Sequence, residues 1–240
     1  MSYNQFASIY DAFMYDQPYD KWFEIVHPYL KDNLLDLATG TGSFISLIPK
    51  SISVTGVDLS EEMLSIAAMK RPDVTLIAQD MRELALNQTF QTITCLCDSL
   101  NYLESKVDVM STFECVNRHL GQDGVFIFDV HSTLKFDAYF NNQTYSDELP
   151  GMVYIWHAIE SEKPYAVHHD LTFFIEENDA YHRFDEQHYQ RTFEIEDYHE
   201  MLSQTGFKVE KIFFDFDPTH TIDEQTSHYF DRVFFVAKKI

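Results

Sequence analysis

Glycine is scarce in this chain, with seven in 240 residues, so two that fall close together mark a place where the backbone needs special freedom. Gly40 and Gly42 are such a pair. Basic side chains are scarce as well: 17 Lys and Arg stand against 39 Asp and Glu, giving a formal net charge of −22. A surface so acidic repels a phosphate backbone, which argues against nucleic acid or an anionic membrane as partner. Cysteine is limited to Cys95, Cys97 and Cys115, an odd number, and the first two share one side of an apparent strand without being placed to bond each other. A reduced, cytoplasmic setting is expected. Nowhere do about eighteen uncharged apolar residues follow one another, and Met1-Ser2-Tyr3-Asn4-Gln5 offers neither a basic start nor an apolar run. Neither a membrane span nor an export signal is expected.

What is present is an alternation of strands and helices. Hydrophobic residues make up 45% of the chain, enough to bury one sizeable core with an appendage. Strands are expected near 33–38, 52–57, 74–78, 91–97 and 124–130, with helices at 42–49, 60–70 and 106–120. Ser60 is placed to cap the second of these helices, with Glu61 and Glu62 at its positive end. The first thirty or so residues read as helical, and they carry Phe13, Trp22, Phe23, Ile25 and Val26 on apolar positions. From His131 to about Phe193 the alternation breaks into antiparallel strands: Met152–Trp156, Asp170–Ile175, a turn at Asn178-Asp179, then Tyr181–Phe193. A helix at 195–205 ending on Gly206, and strands at 207–216 and 230–237, close the chain. The expected fold is α/β and doubly wound, a mostly parallel seven-stranded sheet with an antiparallel β insertion after the fifth strand. We expect one domain over 1–240, with a helical cover at 1–32 and an inserted β lid at 131–195, at the carboxyl edge where such sheets bind ligands.

The glycine pair sits between a strand, Leu34-Leu35-Asp36-Leu37, and the next element. Sixteen residues after Gly42 a second strand, Ile52–Val57, ends in Asp58, where a nucleoside-binding fold places the carboxylate that grips ribose hydroxyls. A dinucleotide fingerprint needs a third glycine, and Ile45 occupies that place. Asp36, just ahead of the turn, would repel a diphosphate yet suit a ligand bearing an ammonium and a sulfonium. The turn therefore favours S-adenosylmethionine over NAD.

On these residues the chain resembles the class I S-adenosylmethionine-dependent methyltransferases. Asp36 to Gly42 look like the first motif of that family, Val57-Asp58-Leu59-Ser60 like the second, and Ala78-Gln79-Asp80-Met81 like the acidic-apolar pair that holds adenine. Asp98 to Leu103 look like the loop beside the methionine part of the cofactor, and the landmarks span about 33–130. The departure is Ala38, which stands where the family has its first glycine and should narrow the turn. Within the class the chain looks most like small bacterial members with a generic substrate assignment. The resemblance implies that Asp58 takes the ribose hydroxyls, Asp80 the adenine amino group and Met81 the ring, with Asp98 and Ser99 beside the methionine ammonium. Asn101 and Tyr102 would line the path toward the methyl, and Tyr10 and Trp22 would close the pocket from the N-terminal cover, although aromatic residues at helical spacing are more often plain packing.

A sulfonium methyl is already activated, so transfer asks chiefly for a nucleophile held in line and shielded from water. A base is required only if the nucleophile arrives protonated. His131, immediately after the fifth strand, is the first candidate and Tyr102 the second, with His157, His182 and His188 in the lid. Trp156, Arg183 and His188 are candidate substrate contacts, alongside Asn101. In an extended strand His182, Glu186 and His188 share one face while Arg183 and Arg191 share the other; the spacing matches no recognised metal motif, and no metal is expected. The reading is methyl transfer from S-adenosylmethionine to oxygen or nitrogen of a small molecule. A silent cofactor-binding protein and a methyltransferase acting on a protein side chain are the alternatives, and a deep aromatic cavity rather than an open groove would favour the metabolite. Nothing in the sequence fixes the oligomeric state.

Overall fold

Five apolar stretches become parallel strands: β1 (Asn33–Leu37), β2 (Ser53–Asp58), β3 (Thr75–Ala78), β4 (Phe90–Cys95) and β5 (Leu120–His131). The computed structural model that shows this describes residues 3–220 and 230–240. Between and around these strands run α1 (Tyr3–Phe13), α2 (Tyr19–Val26), α3 (Glu61–Lys70) and α4 (Lys106–His119). Ser60 caps α3 by accepting from Met63 N at 3.2 Å, and Ser105 caps α4 by accepting from Asp108 N at 3.2 Å. After β5 come α5 (Thr133–Tyr139) and four strands, β6 (Gln143–Leu149), β7 (Met152–Glu160), β8 (Ala166–Glu177) and β9 (Ala180–Arg191). The chain ends with α6 (Ile195–Gln204), β10 (Phe207–Phe214) and β11 (Arg232–Lys239). The main sheet has seven strands in the order β10-β11-β5-β4-β1-β2-β3, and β11 pairs antiparallel with both β5 and β10. Strand order reverses between β1 and β4, which opens the crevice at their carboxyl ends.

The helix expected at 42–49 does not form. A single 3-10 turn over Ile45–Leu47 replaces it, because Pro49 holds Ile48 extended at ψ 130° and leaves too short a run for α-helical hydrogen bonds. The buried guanidinium of Arg71 closes the end of this turn, donating to Ile45 O, which also accepts from Ile48 N at 3.2 Å, and, at 3.0 Å, to Ile48 O. The glycine turn is thus braced from the end of α3 rather than continued by a helix of its own.

The antiparallel insertion is a four-stranded sheet, β6-β7-β8-β9. Its hairpin between β8 and β9 turns at Asn178 and Asp179, with φ of 53° and 63°, the left-handed pair that a two-residue turn of this hand requires. Helix α5 and strand β6 carried no sequence expectation; β6 is largely exposed and polar, so no alternating apolar pattern announces it. The lid buries Met152, Leu171, Phe173 and Phe184, and Ile9, Tyr10 and Phe13 of α1 and Met63 of α3 pack against them. Helix α1 also reaches the glycine turn, where Asp11 accepts from Thr41 Oγ1 at 2.6 Å and pairs with Lys70 at 2.6 Å. One short helix therefore touches both lid and turn.

Asn101 is not a substrate contact. It is fully buried at the seam between sheet and lid, where Nδ2 donates to Arg191 O at 2.9 Å and Oδ1 accepts from His131 N at 2.9 Å. Replacing it by Leu leaves a buried N–H and a buried C=O without partners. The expected cost is about 2–4 kcal/mol, read as a lower denaturation midpoint in urea; an unchanged midpoint would remove the seam role.

Candidate functional site

Three connected cavities lie along the carboxyl edge of the sheet, and Tyr10 and Ser99 line all three. The narrowest, about 50 Å³, runs under the glycine turn past Asp36, Ala38, Gly40 and Trp22. A broad one of about 580 Å³ passes Asp58, Leu59, Asp80, Met81 and Tyr102. The third, about 330 Å³, lies between the tips of β4 and β5 and the lid, and includes His131, Tyr154, Trp156, His188 and Arg232.

The first two cavities have the chemistry of a nucleoside-methionine site. Ala38 and Gly40 take φ of 54° and 55°, so Ala38 occupies a left-handed conformation that costs a residue with Cβ about 1 kcal/mol. A Cβ at Gly40 would meet nothing within 4 Å, so the backbone faces open space there, and Gly40 N donates to Asp58 Oδ2 at 2.7 Å. Ser60 N donates to Asp58 Oδ1 at 2.9 Å, which leaves a lone pair on each oxygen for ribose. Gly42 does not line a cavity: a Cβ there would come within 3.0 Å of Ala67 Cβ, so its need is close packing on α3 rather than ligand contact. Asp36 accepts from Thr94 Oγ1 at 2.7 Å, and burial pushes its carboxyl up to about 6. An ammonium would restore its charge. Leu59, 74% exposed, and Met81 present apolar surface suited to a purine. Asp80 lies in the same cavity, but Arg82 grips both of its oxygens, with Nη2 at 2.6 Å, so an adenine amino group would share it with that ion pair. The lining as a whole fits S-adenosylmethionine, with carboxylates for its ammonium and hydroxyls; of the cations on the broad cavity, Arg82 is held by Asp80 and Asp108, and Lys163 lies toward Glu104.

Asp98, expected beside the ammonium, faces the third cavity instead. Its Oδ1 accepts from Arg232 Nη2 at 2.9 Å, and its Oδ2 from Gln190 Nε2 at 3.0 Å and His131 Nε2 at 3.3 Å. Burial works to raise this carboxyl, but the His131 ring and the Arg232 guanidinium outweigh it and hold it well below the usual carboxylate range. Burial dominates at His131 and pushes the imidazole down to about 4 despite Asp98, so the ring is neutral near pH 7. With Asp98 ionised, the His131 proton belongs on Nε2. The other nitrogen, Nδ1, is buried and has no hydrogen-bond partner among the described residues. Tyr102 borders the second and third cavities, and desolvation, reinforced by the Asp98 charge, raises its phenol, so it stays protonated and is no base near neutrality.

Of the lid candidates, Trp156 and His188 line the third cavity and Arg183 does not. Arg183 is on the outer face of β9, paired to Asp185 at 2.8 Å, because strand alternation sends it opposite to His188. Trp22 is 1% exposed, donates from Nε1 to Asp129 Oδ1 at 2.9 Å, and has the Arg232 guanidinium 5.0 Å from its ring centre, so it anchors the site more than it wraps a ligand. Sequence reasoning missed Asp129, Gln190, His169 and Arg232. Asp129 left a signal, a lone carboxylate inside the apolar run Phe126-Ile127-Phe128-Asp129-Val130; the others left none. Among the described residues no group of three or more His, Cys, Asp or Glu is arranged to hold a metal ion, and no helix is long and apolar enough to cross a membrane.

Two outcomes follow from this geometry. Asp58→Ala is expected to weaken S-adenosylmethionine binding about 100-fold in calorimetry, and unchanged affinity would remove Asp58 from the ribose site. A bound ammonium favours the ionised form of Asp36, whose unliganded carboxyl titrates at about 6. Affinity is therefore full above that pH and is lost as pH falls through it, by up to about tenfold per unit. A binding constant flat between pH 5 and 8 would separate Asp36 from the ammonium.

A family model described as a methyltransferase domain matches residues 34–124, the span that holds the glycine turn, Asp58, Asp80 and Asp98. Over its full length the chain is 42% identical to YqeM of Bacillus subtilis (strain 168), named as a methyltransferase without a stated acceptor; 100% of this chain and 98% of that one are covered. The crystal structure of a S-adenosylmethionine-dependent methyltransferase from Clostridium acetobutylicum superposes with a TM-score of 0.87 at 29% identity, covering 99% of this chain and 98% of that one. Over 98 residues, 40% of this chain and 38% of the relative, it is 34% identical to dTDP-3-amino-3,6-dideoxy-alpha-D-glucopyranose N,N-dimethyltransferase of Streptomyces fradiae. The full-length relationship and the cofactor chemistry of the crevice lead to one conclusion: the chain belongs to the class I S-adenosylmethionine-dependent methyltransferases and is an enzyme of that family.

Proposed function

We propose that this methyltransferase acts on an amino or hydroxyl group of a small polar acceptor held between the sheet edge and the β lid, an amino sugar being the first class to test. The observation that carries the reading is His131 Nδ1, a buried acceptor without a partner among the described residues, on a residue that lines the cavity between sheet edge and lid. S-adenosylmethionine supplies, when bound, a methyl group that needs no further activation. The work of the chain is to hold the nucleophile in line, keep water out and receive a proton where one must leave.

Asp98 fixes His131 through Nε2, and Nδ1 then accepts a hydrogen bond from the acceptor N–H or O–H. An imidazole that titrates at about 4 is a weak base, so its hydrogen bond orients the acceptor and holds the proton only briefly. Tyr102, with its phenol kept protonated, donates along the same wall. The neighbouring surfaces are aromatic: Phe140, Tyr154 and Trp156 close the cavity from the lid. A cavity of about 330 Å³ under this cover suits a small metabolite better than a protein side chain on its backbone. The name of the Streptomyces fradiae relative gives it a dTDP-linked amino sugar, which supports the choice of first acceptor. Three free cysteines, two of them buried, support the expected cytoplasmic setting.

Incubation with S-adenosylmethionine and a panel of nucleotide-linked amino sugars is expected to release S-adenosylhomocysteine with a mass gain of one methyl on the acceptor. His131→Ala is expected to lower kcat about 100-fold while changing cofactor affinity less than about twofold. Wild-type turnover in that variant would remove His131 from the reaction, and cofactor binding without turnover of any amino sugar would turn the search to other small acceptors.

A further inference from the structure

Strand β9 sends Phe184, Glu186, His188 and Gln190 toward the protein interior. Three of these have an evident purpose. Phe184 stacks on Phe173 in the lid, with ring centres 5.0 Å apart. His188 meets the Tyr102 ring edge-on, and Gln190 donates to Asp98. Glu186 has none. It is 8% exposed, its Oε1 is buried without a hydrogen-bond partner among the described residues, and it forms no ion pair with any of them: Arg183, next but two along the strand, is held by Asp185, and Lys163 lies toward Glu104. Burial raises its pKa, as it must for a carboxylate without a compensating partner. A buried acceptor left in this state costs stability, and such costs persist where a ligand removes them.

Its position says which ligand. Glu186 lines the broad cavity that contains Asp58, Ser60 and Met63, and it does not line the acceptor cavity. His188, roughly 7 Å back along the same face, forms the wall the two cavities share. Along β9 the inward residues thus pass from Gln190 at the Asp98 cluster, through His188 beside the transfer point, to Glu186 over the nucleoside half. The donors that half of the cofactor offers are the adenine amino group, on the side of Asp80 and Met81, and two ribose hydroxyls. Asp58 approaches the ribose from the sheet with both oxygens already accepting one N–H each.

We propose that Glu186 is a cofactor-binding residue supplied by the lid, its carboxylate accepting a hydrogen bond from one ribose hydroxyl of S-adenosylmethionine while Asp58 holds the other from the sheet. The cofactor then ties β9 to the end of β2, and His188 and Gln190 are drawn into register on the acceptor cavity by the same strand. A lid fastened in this way completes the acceptor cavity after the nucleoside is in place.

The test is calorimetric titration of the full chain and of Glu186→Leu and Glu186→Gln with S-adenosylmethionine and with S-adenosylhomocysteine, alongside the melting temperature of each unliganded protein. Both ligands carry the same ribose. Glu186→Leu is expected to raise both dissociation constants alike, by roughly 10- to 100-fold, while the unliganded protein melts no lower than wild type because an orphaned carboxylate has gone. Glu186→Gln keeps the shape and a neutral acceptor and is expected to lie between; it carries the test if the leucine variant does not fold. Unchanged affinity for both ligands overturns the proposal. So does a loss confined to S-adenosylmethionine, which would set the carboxylate against the sulfonium instead, and so does a fall in melting temperature that accompanies every loss of affinity, which would make Glu186 a structural residue.

Discussion

Arg232 is the charge around which the catalytic end of the sheet is organised. Its guanidinium lies between Asp129, which has no exposed surface, and Asp98, and it stacks over Trp22. Taking three charges out of water costs several kcal/mol for each, and the arrangement holds because nearly every lone pair meets a donor. Asp129 accepts from Trp22 Nε1, from the backbone of Cys97 and Asp98, and from Arg232. Those backbone bonds also offset local strain, since Cys97 and Asp98 sit at φ of 58° and 50°, a region side chains avoid. The tips of β4, β5 and β11, the helix α2 and the lid strand β9 all converge on this cluster, so the crevice has one electrostatic origin rather than several independent contacts.

From Asp98 the polarity of the lid can be read outward. An ionised carboxylate only accepts, so Gln190 must present its amide N–H₂ to it and its carbonyl away from it. That carbonyl faces His169 Nε2 at 3.2 Å, and Trp156 Nε1 donates to His169 Nδ1 at 2.9 Å. His169 therefore carries its proton on Nε2, and Trp156, His169, Gln190 and Asp98 form one directional chain, each bond polarised by the next. The aromatic wall of the acceptor cavity is thus set by the same charge that orients His131. A protonated His169 would supply a second donor where Trp156 already donates, and burial holds that ring down at about 4, which keeps the chain intact near neutrality.

What the sequence made legible was local. Asp36, Gly40 and Asp58 declare themselves because the turn, the strand ends and the carboxylates lie within one β-turn-β unit, and their geometry follows from a few neighbouring dihedrals. Elements with a clear period, such as α3, α4 and β5, appear close to where alternation and capping place them. At Ile45–Leu47 the apolar pattern suggests a longer helix than the chain forms, because Pro49 keeps Ile48 extended and stops it after one 3-10 turn. Asn101 looked like a pocket residue from its loop, whereas its partners, His131 and Arg191, are 30 and 90 residues away. Arg232 is 134 residues from Asp98 and opens an ordinary apolar strand, so no local feature distinguishes it from a surface arginine. Arg183 and His188 differ by strand parity alone, and parity depends on a register that the hairpin at Asn178-Asp179 fixes.

A molecule with a formal charge of −22 nevertheless keeps its acceptor cavity close to electrically neutral. The three imidazoles on its walls, His131, His169 and His188, are all pushed toward the uncharged form by burial, and the Tyr10 and Tyr102 phenols are pushed toward theirs. Of the charged side chains on the wall, Asp16 and Asp98 stand against Lys135 and Arg232, and Arg232 is shared with the buried Asp129 behind it; Lys135, itself lowered by burial and by Arg232, has no carboxylate at contact distance among the described residues. On the proposed reading, such a cavity suits a polar but uncharged nucleophile, which need not shed much hydration against a fixed charge. Positive charge developing on the acceptor meets, on the same proposed reading, its nearest response in Asp98 through the His131 ring, already oriented and needing no rearrangement. The acidic exterior and the near-neutral cavity are therefore separate devices, the one repelling polyanions and the other built from paired charges and uncharged rings.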